Sequence, residues 1–184
     1  YYDQEHHVLH MEKTIFEEIS DDYPYLTNTE IRNVLAAFLF TGDDVFKLIG
    51  DLSGGERGRV SLAKLMLSEA NFLILDEPTS QLDPQGSEEV FKAVQALSQK
   101  GITVIMVEHK IEKVAAYSDR VMLLDDGKLI DFDTPQKVFS RDDLEEHGVQ
   151  APAFARIGKG LGVRHPKTEM YPVTLEEAKE ALAK

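Results

Sequence analysis

The chain has no cysteine among its 184 residues, which excludes disulfides and thiolate metal sites and agrees with a reducing compartment. No apolar run approaches the roughly 18 residues that a membrane-spanning helix needs. No internal repeat and no low-complexity tract is present. Basic residues are in the minority, 20 against 33 acidic, for a formal net charge of -13. The chain as a whole therefore lacks the electrostatic footprint of a self-sufficient nucleic-acid binder, and no direct sequence-specific contact with nucleic acid is expected. A G-x-x-x-x-G-K-S/T phosphate loop is also missing. The first residue is Tyr1 rather than methionine and falls inside a motif, so a fragment or an engineered piece is expected.

What is present is ordinary for a soluble globular protein: 42% hydrophobic and 29% charged residues, enough for one real core with an appendage. Residues 1–10 begin extended and end in a histidine-rich loop, and MEKTIFEEIS has the spacing of a short amphipathic helix. Residues 21–28, with Pro24, form a polar breaker. From Thr29, TEIRNVLAAFLF starts with a cap and places Ile31, Val34, Leu35, Phe38 and Leu39 on one helical face, with Gly42 as its stop. DDVFKLIG reads as a helical turn, and a helix over residues 56–68 turns Val60, Ala63 and Leu67 inward.

NFLILDEP and ITVIMVEH are apolar runs of the kind found in parallel strands buried on both faces. Between them residues 84–100 are helical, stopped by Gly101. A helix at residues 111–117, the strand RVMLLDD, the turn Asp126-Gly127 and the strand KLIDFD complete a β-α-β-α-β-β order. That order predicts an α/β fold with a parallel-sheet core and a terminal hairpin. Residues 134–139 and 142–147 read as short helices and GKGLGVRHPKT as a loop, while TLEEAKEALAK is a helix opened by a Thr-x-x-Glu capping box.

Three stretches can carry chemistry. In LSGGERGRV, Ser53 can cap the following helix while Gly54 and Gly55 let backbone N–H groups approach an anion closely. Leu75-Asp76-Glu77-Pro78 puts two adjacent carboxylates at the C-terminal end of a strand, where open α/β sheets place ligands. There Asp76 can bind magnesium, directly or through water, and Glu77 can polarise an attacking water. A solvated acidic turn is the competing reading. His109, ending the next apolar strand in VEHK, can donate to a terminal phosphate oxygen and hold that water with Glu77. A lone histidine there is more often structural, but two neighbouring strands ending in polar side chains point to one shared site. His6, His7 and His10 lie close enough for a metal but lack carboxylate spacing, and GKGLG follows no strand, so a solvated loop and a connector are expected.

The run LSGGERGRVSLAKLMLSEANFLILDEPTSQLD resembles the signature helix, Walker B strand and D-loop of the ABC-type ATPases. The resemblance covers nearly the whole chain, with the motifs in family order. It implies that Ser53, Gly54, Gly55 and Glu56 meet the γ-phosphate of an ATP held by a second ABC ATPase domain across a head-to-tail interface, in a homo- or heterodimer. It further implies that Asp76 is the Walker B magnesium ligand, Glu77 the catalytic glutamate, Asp83 a D-loop residue at the interface and His109 the switch histidine. Gln4 matches the glutamine that senses magnesium and the γ-phosphate. ATP and Mg2+ are the implied cofactors, and a partial ABC-ATPase domain with a helical subdomain and a C-terminal helical extension is the implied fold. The expected divisions are residues 1–51 (Q-loop and helical subdomain), 52–133 (α/β core) and 134–184 (extension).

The resemblance divides in two. Residues 1–77, with YYDQEHH and IRNVLAAFLFTGDDVFK, look like the second ATPase domain of ABC-F proteins, which are soluble and work on the ribosome. From Pro78 onward, DEPTSQLDPQG, VEHK, DDGKLIDFDTPQKVF and PVTLEEAKEAL are similar to the ATPase subunits of energy-coupling-factor and cobalt-type transporters. The implied partners are accordingly a membrane transporter subunit or the ribosome, and the implied location is the cytoplasm, peripheral at the inner face of the membrane. A mosaic joined within LDEPT is expected, with a natural divergent family as the alternative. Lacking the loop that holds ATP phosphates, the chain by itself is expected to bind ATP weakly and not turn it over. The remaining alternatives are a non-catalytic fragment or engineered chimera that lends its signature loop in trans, or one of structural interest only.

Overall fold

The computed structural model describes residues 9–68, 70–80 and 82–183, which form two compact units, 1–109 and 110–184. In the first unit α1 (Ile15–Asp22), α2 (Asn28–Ala37) and α3 (Gly54–Leu67) are followed by β1 (Phe72–Asp76), α4 (Pro84–Gln99) and β2 (Thr103–Val107). Two short 3₁₀ segments, Gly42–Phe46 and Ile49–Asp51, connect α2 to α3.

The helices begin where side chains satisfy their first N–H groups. Thr14, Thr27 and Ser53 each accept from the backbone three residues on, and Glu17, Glu30 and Glu56 each reach back to the cap N–H. α1 thus starts at Ile15, later than the amphipathic spacing indicates, and runs two residues into the expected breaker. The expected cap Thr29 is corrected: Thr27 caps α2, because only it has a glutamate, Glu30, three positions ahead. The helix also ends at Ala37 rather than at Gly42, since Leu39 adopts φ 67°, and Leu39 leaves the apolar face to be 43% exposed. Ile31, Leu35 and Phe38 keep theirs and join Ile15, Ile19 and Val60 in the core of this unit.

β1 and β2 pair in parallel, Phe72 opposite Thr103 through Asp76 opposite Val107. The expectation of strands buried on both faces is corrected. Leu73 and Leu75 are buried, but Phe72 and Ile74 are about half exposed, as are Ile105 and Val107 on β2. Within this unit the helices cover one face of the pair, α4 spanning the crossover from β1 to β2.

The second unit comprises α5 (Ile111–Tyr117), the antiparallel hairpin β3 (Val121–Asp125) and β4 (Lys128–Asp133), α6 (Pro135–Phe139), a 3₁₀ turn (Leu144–His147), α7 (Ala153–Leu161) and α8 (Leu175–Leu182). Asp126 and Gly127 both have positive φ, 46° and 71°, the backbone of a tight hairpin turn. Its core gathers Ala115, Leu123, Val138, Phe139, Leu144, Ala155 and Val173. Part of the expected connector is helical: Gly158 to Leu161 form the end of α7, and Gly162, at φ 66°, is its left-handed cap. A Cβ on Gly158 would come 2.8 Å from Cδ of Pro172, so this glycine permits a close approach rather than a turn. The Thr174 hydroxyl caps α8 as expected, but Glu177 turns to the Val173 N–H at 2.7 Å instead of to its cap. Among the described residues no helix is long and apolar enough to cross a membrane.

Candidate functional site

Parallel pairing in register brings the ends of β1 and β2 side by side, so the residues that follow Asp76 and Val107 meet. The Glu77 N–H donates to the Val107 carbonyl at 3.0 Å, extending the ladder by one bond. Glu77 sits at φ 43°, in the left-handed region where a residue with a Cβ is held only by its surroundings. From there its Oε1 lies 2.8 Å from Nε2 of His109. The ring is 80% exposed and the carboxylate 43%, so both are open to a ligand. Asp76, the last residue of β1, is exposed beside them. Strand order thus unites three of the expected site residues, Asp76, Glu77 and His109.

Ser53 and the two glycines occupy the N-terminus of the 14-residue helix α3. The Ser53 hydroxyl accepts from the Glu56 N–H at 3.3 Å, and Glu56 Oε2 accepts from the Ser53 N–H at 2.8 Å. Burial works against charge on Glu56, but the bonds from Ser53 outweigh it and hold that carboxyl below its usual range. Gly54 and Gly55 open the first turn, whose N–H groups have no intrahelical acceptor and whose dipole favours an anion. Leu82 lies against them: a Cβ added to Gly54 or Gly55 would meet its Cδ2 at 3.7 or 3.5 Å. Asp83, exposed, spends Oδ1 on the Gly86 N–H at 2.8 Å and so caps α4. Gln4, His6 and His7 lie outside the described residues. His10 pairs through Nδ1 with the buried Glu18, 3.0 Å away.

Sequence reasoning passed over two residues that hold this region together. Glu108, between the strand and His109, accepts from Thr79 and from the His109 N–H. Its only sequence signal is a charge directly after an apolar strand run. Arg59, 5% exposed on α3, donates to the Phe38 carbonyl at 3.1 Å, lies over the Phe40 ring at 4.8 Å and pairs with Glu89 of α4 at 2.8 Å. It ties the helix that carries Ser53 to the helix that Asp83 caps.

Comparison with known proteins gives these positions a context. The family model described as "ABC transporter" matches residues 1–80. The chain is 45% identical over 132 residues to the putative ATP-binding protein YdiF of Bacillus subtilis, covering 72% of this chain and 20% of that protein. It is 36% identical over 157 residues to the energy-coupling factor transporter ATP-binding protein EcfA2 of Acetivibrio thermocellus, covering 84% of this chain and 56% of that protein. Among solved structures, cbiO1 of Clostridium perfringens, part of the ABC transporter complex cbiONQ, superposes with a TM-score of 0.63 at 28% identity. That match covers 87% of this chain and 65% of cbiO1. The chain therefore spans between a fifth and two thirds of the length of these three proteins. The fold is that of part of an ABC-type ATPase domain, and its relatives include energy-coupling-factor ATP-binding proteins.

Proposed function

We propose that the chain supplies the signature helix, the Walker B carboxylates and the switch histidine of an ABC-type ATPase. That ATPase hydrolyses ATP between two head-to-tail domains and is coupled, as in energy-coupling-factor relatives, to a membrane transporter component on the cytoplasmic side. The observation that carries this reading is the Glu77–His109 contact, 2.8 Å, at the ends of adjacent parallel strands beside Asp76.

The chemistry of each group suits its part. Asp76 offers a hard carboxylate oxygen, the donor that magnesium prefers, and so fits as its ligand. Bound there, magnesium would neutralise charge on the phosphate oxygens. Glu77 orients the attacking water and draws on its proton, while His109 fixes the Glu77 carboxylate and presents its ring to the terminal phosphate. The N–H groups opening α3 at Gly54 and Gly55 serve an ATP bound by the second domain, with Ser53 and Glu56 holding that turn in shape, Leu82 beside it and Asp83 as the D-loop residue of the interface. Gln4 completes the assignment as the magnesium and γ-phosphate sensor, and residues 1–51 act as the helical subdomain, 52–133 as the catalytic core and 134–184 as the extension.

The test has two arms. Calorimetry of the chain with magnesium-ATP is expected to show only weak binding, since the phosphate loop is not among its residues; micromolar affinity overturns that point. In the ATPase completed with a phosphate-loop element, Glu77→Gln is expected to keep ATP bound and abolish hydrolysis. Hydrolysis by that variant at the unmodified rate overturns the assignment.

The motif differences on either side of residue 77 alone carry a second, finer reading, because the matches to YdiF over 132 residues and to EcfA2 over 157 each run across that point. In it residues 1–77 derive from an ABC-F-like ATPase of ribosome-associated type and residues 78–184 from an energy-coupling-factor ATPase, joined in the shared strand. Aligning the two parts separately decides: one family matching both equally well removes the mosaic.

A further inference from the structure

We infer that Glu108 is the positioning residue of the Glu77–His109 pair and that it acts through Thr79. The kinetic half of this inference rests on the ATPase reading above; the structural half does not. Glu108 Oε1 accepts from both donors of Thr79, the backbone N–H at 3.1 Å and the hydroxyl. Its Oε2 accepts the His109 N–H at 3.1 Å. Thr79 is fully buried, so its hydroxyl needs a protein acceptor, and an ionised carboxylate is a strong one.

The consequence lies in how the two loops are joined. Residues 77–80 form a turn closed by the Ser80 N–H donating to the Glu77 carbonyl at 3.1 Å. The turn is fastened to the end of β2 at two points: by backbone, where Glu77 donates to Val107, and by side chain, where Thr79 donates to Glu108. Glu77 holds a left-handed φ that a residue with a Cβ adopts only when its neighbours impose it, and the Thr79 clasp lies two residues along the same turn. The same carboxylate grips the His109 backbone, so one side chain sets the spacing of both partners. With three donors on it, Glu108 orients the site, and Glu77 remains the carboxylate that faces His109.

The test compares Glu108→Ala, Thr79→Val and Thr79→Ser in the full chain, with circular dichroism to confirm folding. By NMR, Thr79→Val and Glu108→Ala are expected to speed exchange of the residue-79 amide and to erase the contact between the Glu77 side-chain protons and the His109 ring. Thr79→Ser, which keeps both donors, is expected to preserve them. Should Glu108→Ala fail to fold, Thr79→Val, which removes one hydroxyl at equal volume, carries the same comparison. In the ATPase completed with its phosphate loop, the two disruptive variants should lower kcat by about a hundredfold with KM for ATP little changed, and Thr79→Ser should restore it. Retention of the Glu77–His109 contact in Thr79→Val, or unchanged kcat in an active assembly, overturns the inference. Loss of the contact in a protein whose unmodified assembly hydrolyses no ATP supports the inference and sinks the ATPase reading instead.

Discussion

The ammonium of Lys64 on α3 lies 2.5 Å from Oε1 of Glu18 on α1, a carboxylate with no solvent exposure, and 2.7 Å from Oδ2 of Asp22. Burial opposes charge on Lys64, but the two carboxylates outweigh it and raise its pKa. Glu18 also accepts from both the ring and the backbone N–H of His10, so it joins the segment before α1 to α3.

Removing the lysine alone leaves the buried Glu18 carboxylate with only the bonds from His10. Lys64→Met is expected to cost roughly 3–5 kcal/mol, measured by urea unfolding. The double variant Glu18→Leu with Lys64→Met should cost less than Lys64→Met alone, because no buried carboxylate is left without its lysine; Asp22 is solvent-exposed. A double variant at least as unstable as the single one would show that the pair stabilises beyond its own desolvation.

Arg59 carries three contacts that only a guanidinium can make together: the Phe38 carbonyl, the Phe40 ring and the Glu89 carboxylate. Arg59→Lys keeps the charge but not the planar fork. A loss of about 2 kcal/mol is expected, with Glu89→Gln adding little further once the arginine is gone. Full additivity of the two substitutions in urea midpoints would mean that the pair is not coupled.

The capping assignment separates two threonines two residues apart. Thr27→Ala removes the hydroxyl that accepts from Glu30 and should cost about 1 kcal/mol; Thr29→Ala, inside α2, should be close to neutral. Equal losses at both positions would contradict the cap. The sequence names the capping device here but not its register, since both threonines precede an apolar stripe and only the placement of Glu30 distinguishes them.

In the second unit, Nδ1 of His147 lies 2.8 Å from Asp125, and this bond, with the charge of Asp125 and Asp143 nearby, raises the imidazole above its usual value of about 6.5. The shift favours the protonated folded form. Its contribution is therefore complete below about pH 6.5 and is lost as pH rises through the folded-state pKa. Thermal unfolding should show wild type losing its advantage over His147→Gln between mildly acidic and mildly alkaline pH. An advantage that grew with pH would reverse the assigned sign.

Much of this molecule is legible in its residues, and the limits have physical causes. The element order follows from periodicity and breakers, and the meeting of Glu77 with His109 from two apolar runs ending in polar groups. Periodicity could not tell a strand buried on both faces from one buried on a single face: Phe72 and Ile74 are as apolar as Leu73 and Leu75 yet exposed. A glycine's purpose was equally hidden. GKGLG suggests a loop, whereas Gly158 is small because Pro172 lies against it and Gly162 alone needs the left-handed backbone. The pairings of Glu18, Arg59 and Glu108 span tertiary contacts that no local pattern encodes.

Glu77 occupies a backbone conformation in which glycine or asparagine is at ease and glutamate is not. Backbone conformation alone therefore exerts no pull toward a carboxylate at this position; the bond to His109 and the proposed ATPase role do. Replacement by glycine or asparagine would relax the turn while removing the carboxylate that faces His109. If the proposed ATPase role holds, inactivation at this residue is thus expected to leave abundance unchanged and to be visible only in turnover.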